Sequence, residues 1–250
     1  MSGRIASVSA VHANASRSIP TRERLIFALD VPDLAAAKQL VGTLGDAVSF
    51  YKIGLELATS PHYFELLRWL AEQDKRVFAD LKLYDIPATV GAAVRQLAKS
   101  GASFLTVHGD RAITAAAAAE KGDVLQILAV TVLTSIGPRD LADMGVTLGL
   151  EALVELRAKQ AVEAGCDGVI ASGLEAARLR AALGPRPLIV TPGIRPADSA
   201  GGDDQRRVVT PTRAFESGAD HIVVGRPIRD AADPRRAAAA IQDEIAALFG

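Results

Sequence analysis

Cysteine is almost missing from this 250-residue chain: Cys166 stands alone. One thiol excludes an intrachain disulfide framework and any multi-cysteine metal site. Such sparse usage fits a reducing cytoplasm. No run of about 18 apolar residues occurs, so no candidate for a membrane-spanning helix is present. A basic excess is lacking too, since 28 Lys and Arg face 29 Asp and Glu for a formal net charge of −1. General nucleic-acid binding draws on such an excess, so an anionic partner has to be held by a few placed cations. Two signatures of chemistry are also wanting. No GxSxG elbow offers a nucleophilic serine. The first strand candidate ends in Leu29-Asp30-Val31-Pro32 rather than in the GxGxxG of a dinucleotide-binding sheet.

What is there is an ordinary globular composition, 49% hydrophobic and 23% charged, long enough to bury a large core without a disulfide or metal. Residues 1–20 are rich in Ser and Ala, carry Arg4 and Arg17 and no acid, and lack the apolar centre of a secretory signal. They are expected to form a disordered or loosely packed N-terminal extension to a single domain over 21–250. From Leu25 onward, short apolar runs alternate with Ala- and Leu-rich amphipathic ones. Strands are expected at Leu25–Asp30, Ser49–Glu56, Val77–Leu83, Phe104–Gly109, Val124–Thr131, Gly168–Ser172, Leu188–Gly193 and His221–Arg226. Helices follow each, beginning near Asp33, Pro61, Pro87, Ala112, Leu150, Glu175, Pro211 and Pro234. Continuous apolar strands alternating with helices imply a parallel sheet covered on both faces. Eight such units close into an α/β fold, the (β/α)8 TIM barrel.

In that fold the chemistry sits at the C-terminal ends of the strands. Those ends present Asp30, Lys52 with Glu56, Asp80 with Lys82 and Asp85, His108, Thr131 with Thr134 and Ser135, Ser172, Thr191 with Arg195, and Gly225 with Arg226. Residues two apart on a strand share a face, so Asp80 and Lys82 enter the mouth side by side while Leu81 and Leu83 face the helices. Lys52, on the adjacent strand, is a natural further member of an alternating array of lysines and aspartates. Asp85 lies past the strand end, where it can turn elsewhere, including toward a neighbouring subunit. Such an array can be a salt-bridge layer that only satisfies a polar interior. Buried ion pairs are weak structural devices, however, and perturbed titrations cluster at functional sites.

Across the mouth, Gly225 and Arg226 end the eighth strand, where this fold commonly binds phosphate. Glycine permits close backbone approach, and the guanidinium fork matches phosphate oxygens. The long stretch Ile194–Val209 has the length of a lid or an insertion. Within it, Arg195 and Gln205 are candidate phosphate contacts, and Arg206 and Arg207 read equally well as solvated charges. His108 has no partner at metal-ligand spacing, so no metal site is expected; His12, His62, His221 and Cys166 read as structural or peripheral.

The run Asp80-Leu81-Lys82-Leu83-Tyr84-Asp85-Ile86-Pro87 resembles the signature of the orotidine 5′-monophosphate decarboxylase family. Ala129–Ser135, Val190–Pro196 and Gly202–Arg207 are similar to that family in order and spacing, and the likeness spans almost the whole barrel. It implies cofactor-independent decarboxylation of orotidine 5′-monophosphate to UMP by a cytoplasmic homodimer. Lys82 would be the proton donor and Asp80 would press on the substrate carboxylate. Lys52 would hold the network and a ribose hydroxyl, and Asp30 would bind ribose. Asp85 and Thr89 would cross a dimer interface into the partner's site. Thr134 and Ser135 would lie near the pyrimidine, with Arg195, Gln205, Gly225 and Arg226 at the phosphate. Tyr84 and Ala88 stand where His and Asn are frequent; neither is an acid or base in that chemistry. Two rivals remain at this stage: another phosphosugar lyase on the same barrel, working through Mg2+ and an enediolate, and a non-catalytic barrel that senses UMP.

Overall fold

A computed structural model describes residues 19–196 and 208–250. Eight parallel strands close on themselves in sequence order, β1 (Leu25–Ala28), β2 (Phe50–Ile53), β3 (Arg76–Leu83), β4 (Phe104–His108), β5 (Gln126–Val130), β6 (Gly168–Ile170), β7 (Leu188–Thr191) and β8 (His221–Val224). β1 completes the ring by pairing Leu25 with Ile222 and Phe27 with Val224. The helices, in chain order, are α1 (Leu34–Leu44), α2 (Leu55–Ala58), α3 (Tyr63–Glu72), α4 (Pro87–Leu97), α5 (Arg111–Glu120), α6 (Pro138–Asp143), α7 (Leu150–Glu163), α8 (Ala176–Leu183), α9 (Pro211–Glu216), α10 (Arg226–Arg229) and α11 (Pro234–Phe249). The expected TIM barrel is therefore the observed architecture. Most of the proposed N-terminal extension, residues 1–18, lies outside the described residues.

Local chemistry explains where the helices start. Proline opens α4, α6, α9 and α11, at the position where its missing N–H leaves no bond unmade. The carboxylates of Asp33 and Asp233 cap α1 and α11 by accepting from Ala36 N at 2.8 Å and Arg236 N at 3.0 Å. α2 corrects an expectation. Leu55-Glu56-Leu57-Ala58 continues the apolar run of the second strand, but these are strong helix formers and they coil directly after Gly54. Glu56 is therefore exposed on a helix rather than presented at a strand end. Other strands, too, end before their apolar runs do: β1 stops at Ala28 and β8 at Val224. Beyond β1, Leu29 and Val31 stay buried outside the ladder, whereas Gly225 and Arg226 beyond β8 reach the surface of the mouth.

Alternation divides the core in two. Outward side chains such as Phe27, Tyr51, Ala79, Leu105 and Ile127 pack against the helices. Inward ones, among them Ile26, Phe50, Phe78, Phe104, Leu128 and Val223, fill the barrel. Phe104 sits 5.0 Å from Phe50 and 5.9 Å from Phe78, ring centre to ring centre. Burying each such ring is worth about 1.5–3 kcal/mol. Two residues beyond these three phenylalanines, the same inward positions hold Lys52, Asp80 and Thr106. The barrel is thus apolar below and charged above, and the change falls within one step of the strand period.

Candidate active site

Four ionisable side chains meet at the C-terminal mouth. The Lys52 ammonium lies 3.0 Å from Asp30 Oδ1 and 3.5 Å from Asp80 Oδ2. Lys82 Nζ lies 2.8 Å from the same Asp80 oxygen. The other oxygen, Asp80 Oδ1, accepts from the Thr106 hydroxyl at 2.9 Å. The order around the mouth is Asp30–Lys52–Asp80–Lys82, a run of alternating charge in which each lysine has a carboxylate and Asp80 has two cations. Asp80 is only 8% exposed.

Burial alone would push the Asp80 carboxyl up, because charge is poorly solvated there. The Lys52 and Lys82 ammonium groups overcome it, with help from the Thr106 hydroxyl, and hold Asp80 below the ordinary carboxylate range. Lys52 shows the mirror case. Burial pulls its ammonium down, Asp80 and Asp30 pull it up, and the net direction is up. Both groups stay ionised at neutral pH.

The backbone that delivers Lys82 is unusual. Lys82 has φ +49°, the left-handed region, which costs a non-glycine residue of order 1–3 kcal/mol. The register slips here: Ala79 and Leu83, four apart on β3, face Leu105 and Val107, two apart on β4. This bulge aims the Lys82 side chain at Asp80 while Leu81 and Leu83 still pack against the outer layer. Gly54 is needed close by. A Cβ at that position would stand 3.1 Å from Lys52 Nζ and 3.2 Å from Asp30 Oδ1, so the paired charges would have to give by a few tenths of an ångström.

These groups line one side of a cavity of about 570 Å3. Its other walls include Thr134 and Ser135 after β5, Arg195 after β7, and Gly225 and Arg226 after β8. Except for Gln205, which lies outside the described residues with the rest of 197–207, every expected binding residue of the mouth lines this one space. The base of that long loop is drawn together by a bridge between Ile194 and Val209, with Arg195 N donating to Val209 O at 3.0 Å. Asp85 and Thr89 do not line the cavity. Both are exposed, and Asp85 Oδ1 accepts from Ile86 N at 2.6 Å. Within one chain the second carboxylate of the array is therefore Asp30, not Asp85.

Two contributors were missed by sequence reading. Arg229 lines the cavity and donates to the Asp30 carbonyl at 2.9 Å. Its signal was spacing, since it follows Arg226 by three residues on a helix and shares its face. Thr106 was the second, and the inward phase of β4, set by Phe104, would have pointed to it. His12 lies outside the described residues; His221, His108 and Cys166 stand apart from the cavity lining. His221 begins β8 beneath the phenylalanines, and its ring lies 5.9 Å from that of Phe50. His108 packs against Tyr84 with ring centres 4.7 Å apart, and burial lowers its pKa. Cys166 is buried, its thiol pushed up to about 12 by desolvation.

Comparison with known proteins narrows what this site does. Residues 23–241 match the family model described as "Orotidine 5'-phosphate decarboxylase / HUMPS family". A protein from Methylococcus capsulatus named orotidine 5'-phosphate decarboxylase is 54% identical over 234 residues, covering 94% of this chain and 96% of that one. Another so named, from Xanthomonas euvesicatoria, is 56% identical over 231 residues, covering 92% and 94%. Among solved structures, orotidine 5'-phosphate decarboxylase from Lactobacillus acidophilus superposes with a TM-score of 0.79 at 36% identity, covering 89% of this chain and 99% of that chain.

Proposed function

The chain belongs to the orotidine 5′-phosphate decarboxylase / HUMPS family, and we infer from its relatives and its mouth that it decarboxylates orotidine 5′-monophosphate to UMP, a carboxy-lyase step of pyrimidine nucleotide synthesis. The observation that carries the reading is the Asp80–Lys82 pair, 2.8 Å apart and facing a cavity whose far wall holds Arg195 and Arg226.

Loss of CO2 from C6 of the pyrimidine leaves an electron pair in the ring plane, where delocalisation cannot spread it. The barrier therefore has to fall by electrostatics. The Lys82 ammonium, held beside C6, stabilises the developing carbanion and then protonates it. Asp80 faces the substrate carboxylate, a repulsion that fades as CO2 leaves. Lys52 and Asp30 hold the array and the ribose, and Thr134 and Ser135 flank the base. Arg195, Gln205, Gly225 and Arg226 bind the phosphate, and binding energy gained there offsets the repulsion at the reacting end. No cofactor enters this scheme.

The reading extends to assembly and place. Asp85 and Thr89, turned out of their own mouth beside Tyr84 and Ile86 at 66% and 67% exposure, serve the site of a second copy in a homodimer. A lone buried thiol fits a reducing cytoplasm. The test is to add orotidine 5′-monophosphate in excess chelator and follow its ultraviolet band. Turnover is expected in wild type and none in Lys82→Ala, which still binds UMP. Near-normal turnover in that variant would sink the assignment of the proton donor, and activity abolished by the chelator would favour the metal-dependent lyase reading instead. Mixing Lys82→Ala with Asp85→Ala is expected to restore activity, because one site of the mixed dimer then has both residues.

A further inference from the structure

Thr106 takes no place in the chemistry above, yet one hydroxyl joins both members of the reacting pair. It donates to Asp80 Oδ1 at 2.9 Å and accepts from the backbone N–H of Lys82 at 3.0 Å. A hydroxyl has a single hydrogen to give, so accepting from Lys82 N leaves that hydrogen for Asp80. The side chain is fully buried. Its position on β4 is set by the ladder to β5, where Thr106 pairs with Leu128 in an unbroken register. Its branched side chain is stiff about χ1. The opposite strand is the irregular one: β3 slips against β4 between Ala79 and Leu83, and Lys82 sits at φ +49°. Such a conformation persists only where surrounding contacts over-determine it. At this bulge the Lys82 N–H donates to the Thr106 side-chain oxygen.

We propose that Thr106 is a positioning residue for decarboxylation: its hydroxyl, fixed by the regular strand β4, holds the Lys82 backbone in its left-handed turn and fixes the rotation of the Asp80 carboxylate. With Oδ1 occupied by Thr106, Oδ2 is the oxygen turned to Lys52 and Lys82, 3.5 and 2.8 Å away. Without the hydroxyl, the half-buried Lys82 N–H loses this acceptor and Asp80 loses a donor. Both ends of the pair are then free to move relative to C6. The inference rests on the reading that Lys82 and Asp80 face the reacting carbon.

The experiment compares Thr106→Val, which keeps the shape and removes the hydroxyl, with Thr106→Ser, which keeps the hydroxyl. In Thr106→Val, kcat is expected to fall by about tenfold or more, on the scale of a lost hydrogen bond to a charged group. KM should stay within about threefold, because Thr106 is not among the residues lining the cavity. Thr106→Ser is expected to recover most of kcat. Should the valine variant not fold, Thr106→Ser against Thr106→Ala reads the same oxygen, since both lack the methyl group. Unchanged kcat in Thr106→Val, or serine as impaired as the hydroxyl-free variants, overturns the inference. Lys82→Ala run alongside separates the two ideas: activity there overturns the functional reading, whereas its inactivity beside a fully active Thr106→Val overturns only the role of Thr106.

Discussion

At the scale of single residues, the site depends on side chains that are absent as much as on those present. Gly54 is one: a Cβ there would crowd the Lys52–Asp30 pair, which meets at 3.0 Å. Gly54→Ala should displace them by a few tenths of an ångström and lower kcat/KM by about tenfold, since a misplacement of 1 Å can cost about a hundredfold. Steady-state kinetics would show it, and an unchanged value would mean that the Lys52–Asp30 contact is not needed. Arg226→Ala is expected to cost about 2–5 kcal/mol of transition-state stabilisation for the nucleotide, and almost nothing for a substrate without phosphate. Equal losses on both substrates would remove Arg226 from the phosphate. The pairing of Asp80 with Lys82 was legible from the strand period of two, and it survives the bulge because Leu81 and Leu83 still pack outward. Thr106 was not, because a lone threonine in an apolar strand reads as an ordinary strand former.

Among the elements, the eight strands and the helix that follows each were readable, and three further short helices were not. All eight strands were identifiable as apolar runs. α2, α6 and α10 have four to six residues each, too few for a helical period to be seen. That is why Glu56 was misplaced and Arg229 overlooked. The bulge in β3 left no trace in the sequence either, since nothing in Ala79–Leu83 marks a residue that needs a left-handed turn. Helix starts were clearer, because caps and prolines are local chemistry. Asp33→Ala should therefore lower stability by about 1 kcal/mol, read as a lower urea midpoint with unchanged slope, while kcat stays at its wild-type value. A loss of activity without a loss of stability would show that the first βα turn does more than cap its helix.

For the whole molecule, closing the barrel forces the charged groups together, and that leaves a mark on its pH dependence. Asp80 is held below the ordinary carboxylate range in the folded state. Its contribution to stability is therefore complete above the unfolded value of about 3.9 and disappears as pH falls through the depressed folded one. Lys52, raised in the folded state, contributes fully below the unfolded lysine value of about 10.4 and loses its contribution as pH climbs through the raised one. Stability should thus decline at both extremes, with the acid limb flattened in Asp80→Asn. An acid limb of wild-type slope in that variant would show that Asp80 is not ionised against its lysines in the native protein.

The layering of the barrel interior has a further consequence for traffic. Phe50, Phe78 and Phe104 pack one step below the charges, so among the described residues the inner end of the site is walled by aromatic carbon. On the function proposed above, the mouth at the strand ends then serves three passages at once: entry of the nucleotide, escape of carbon dioxide and arrival of the proton that restores Lys82.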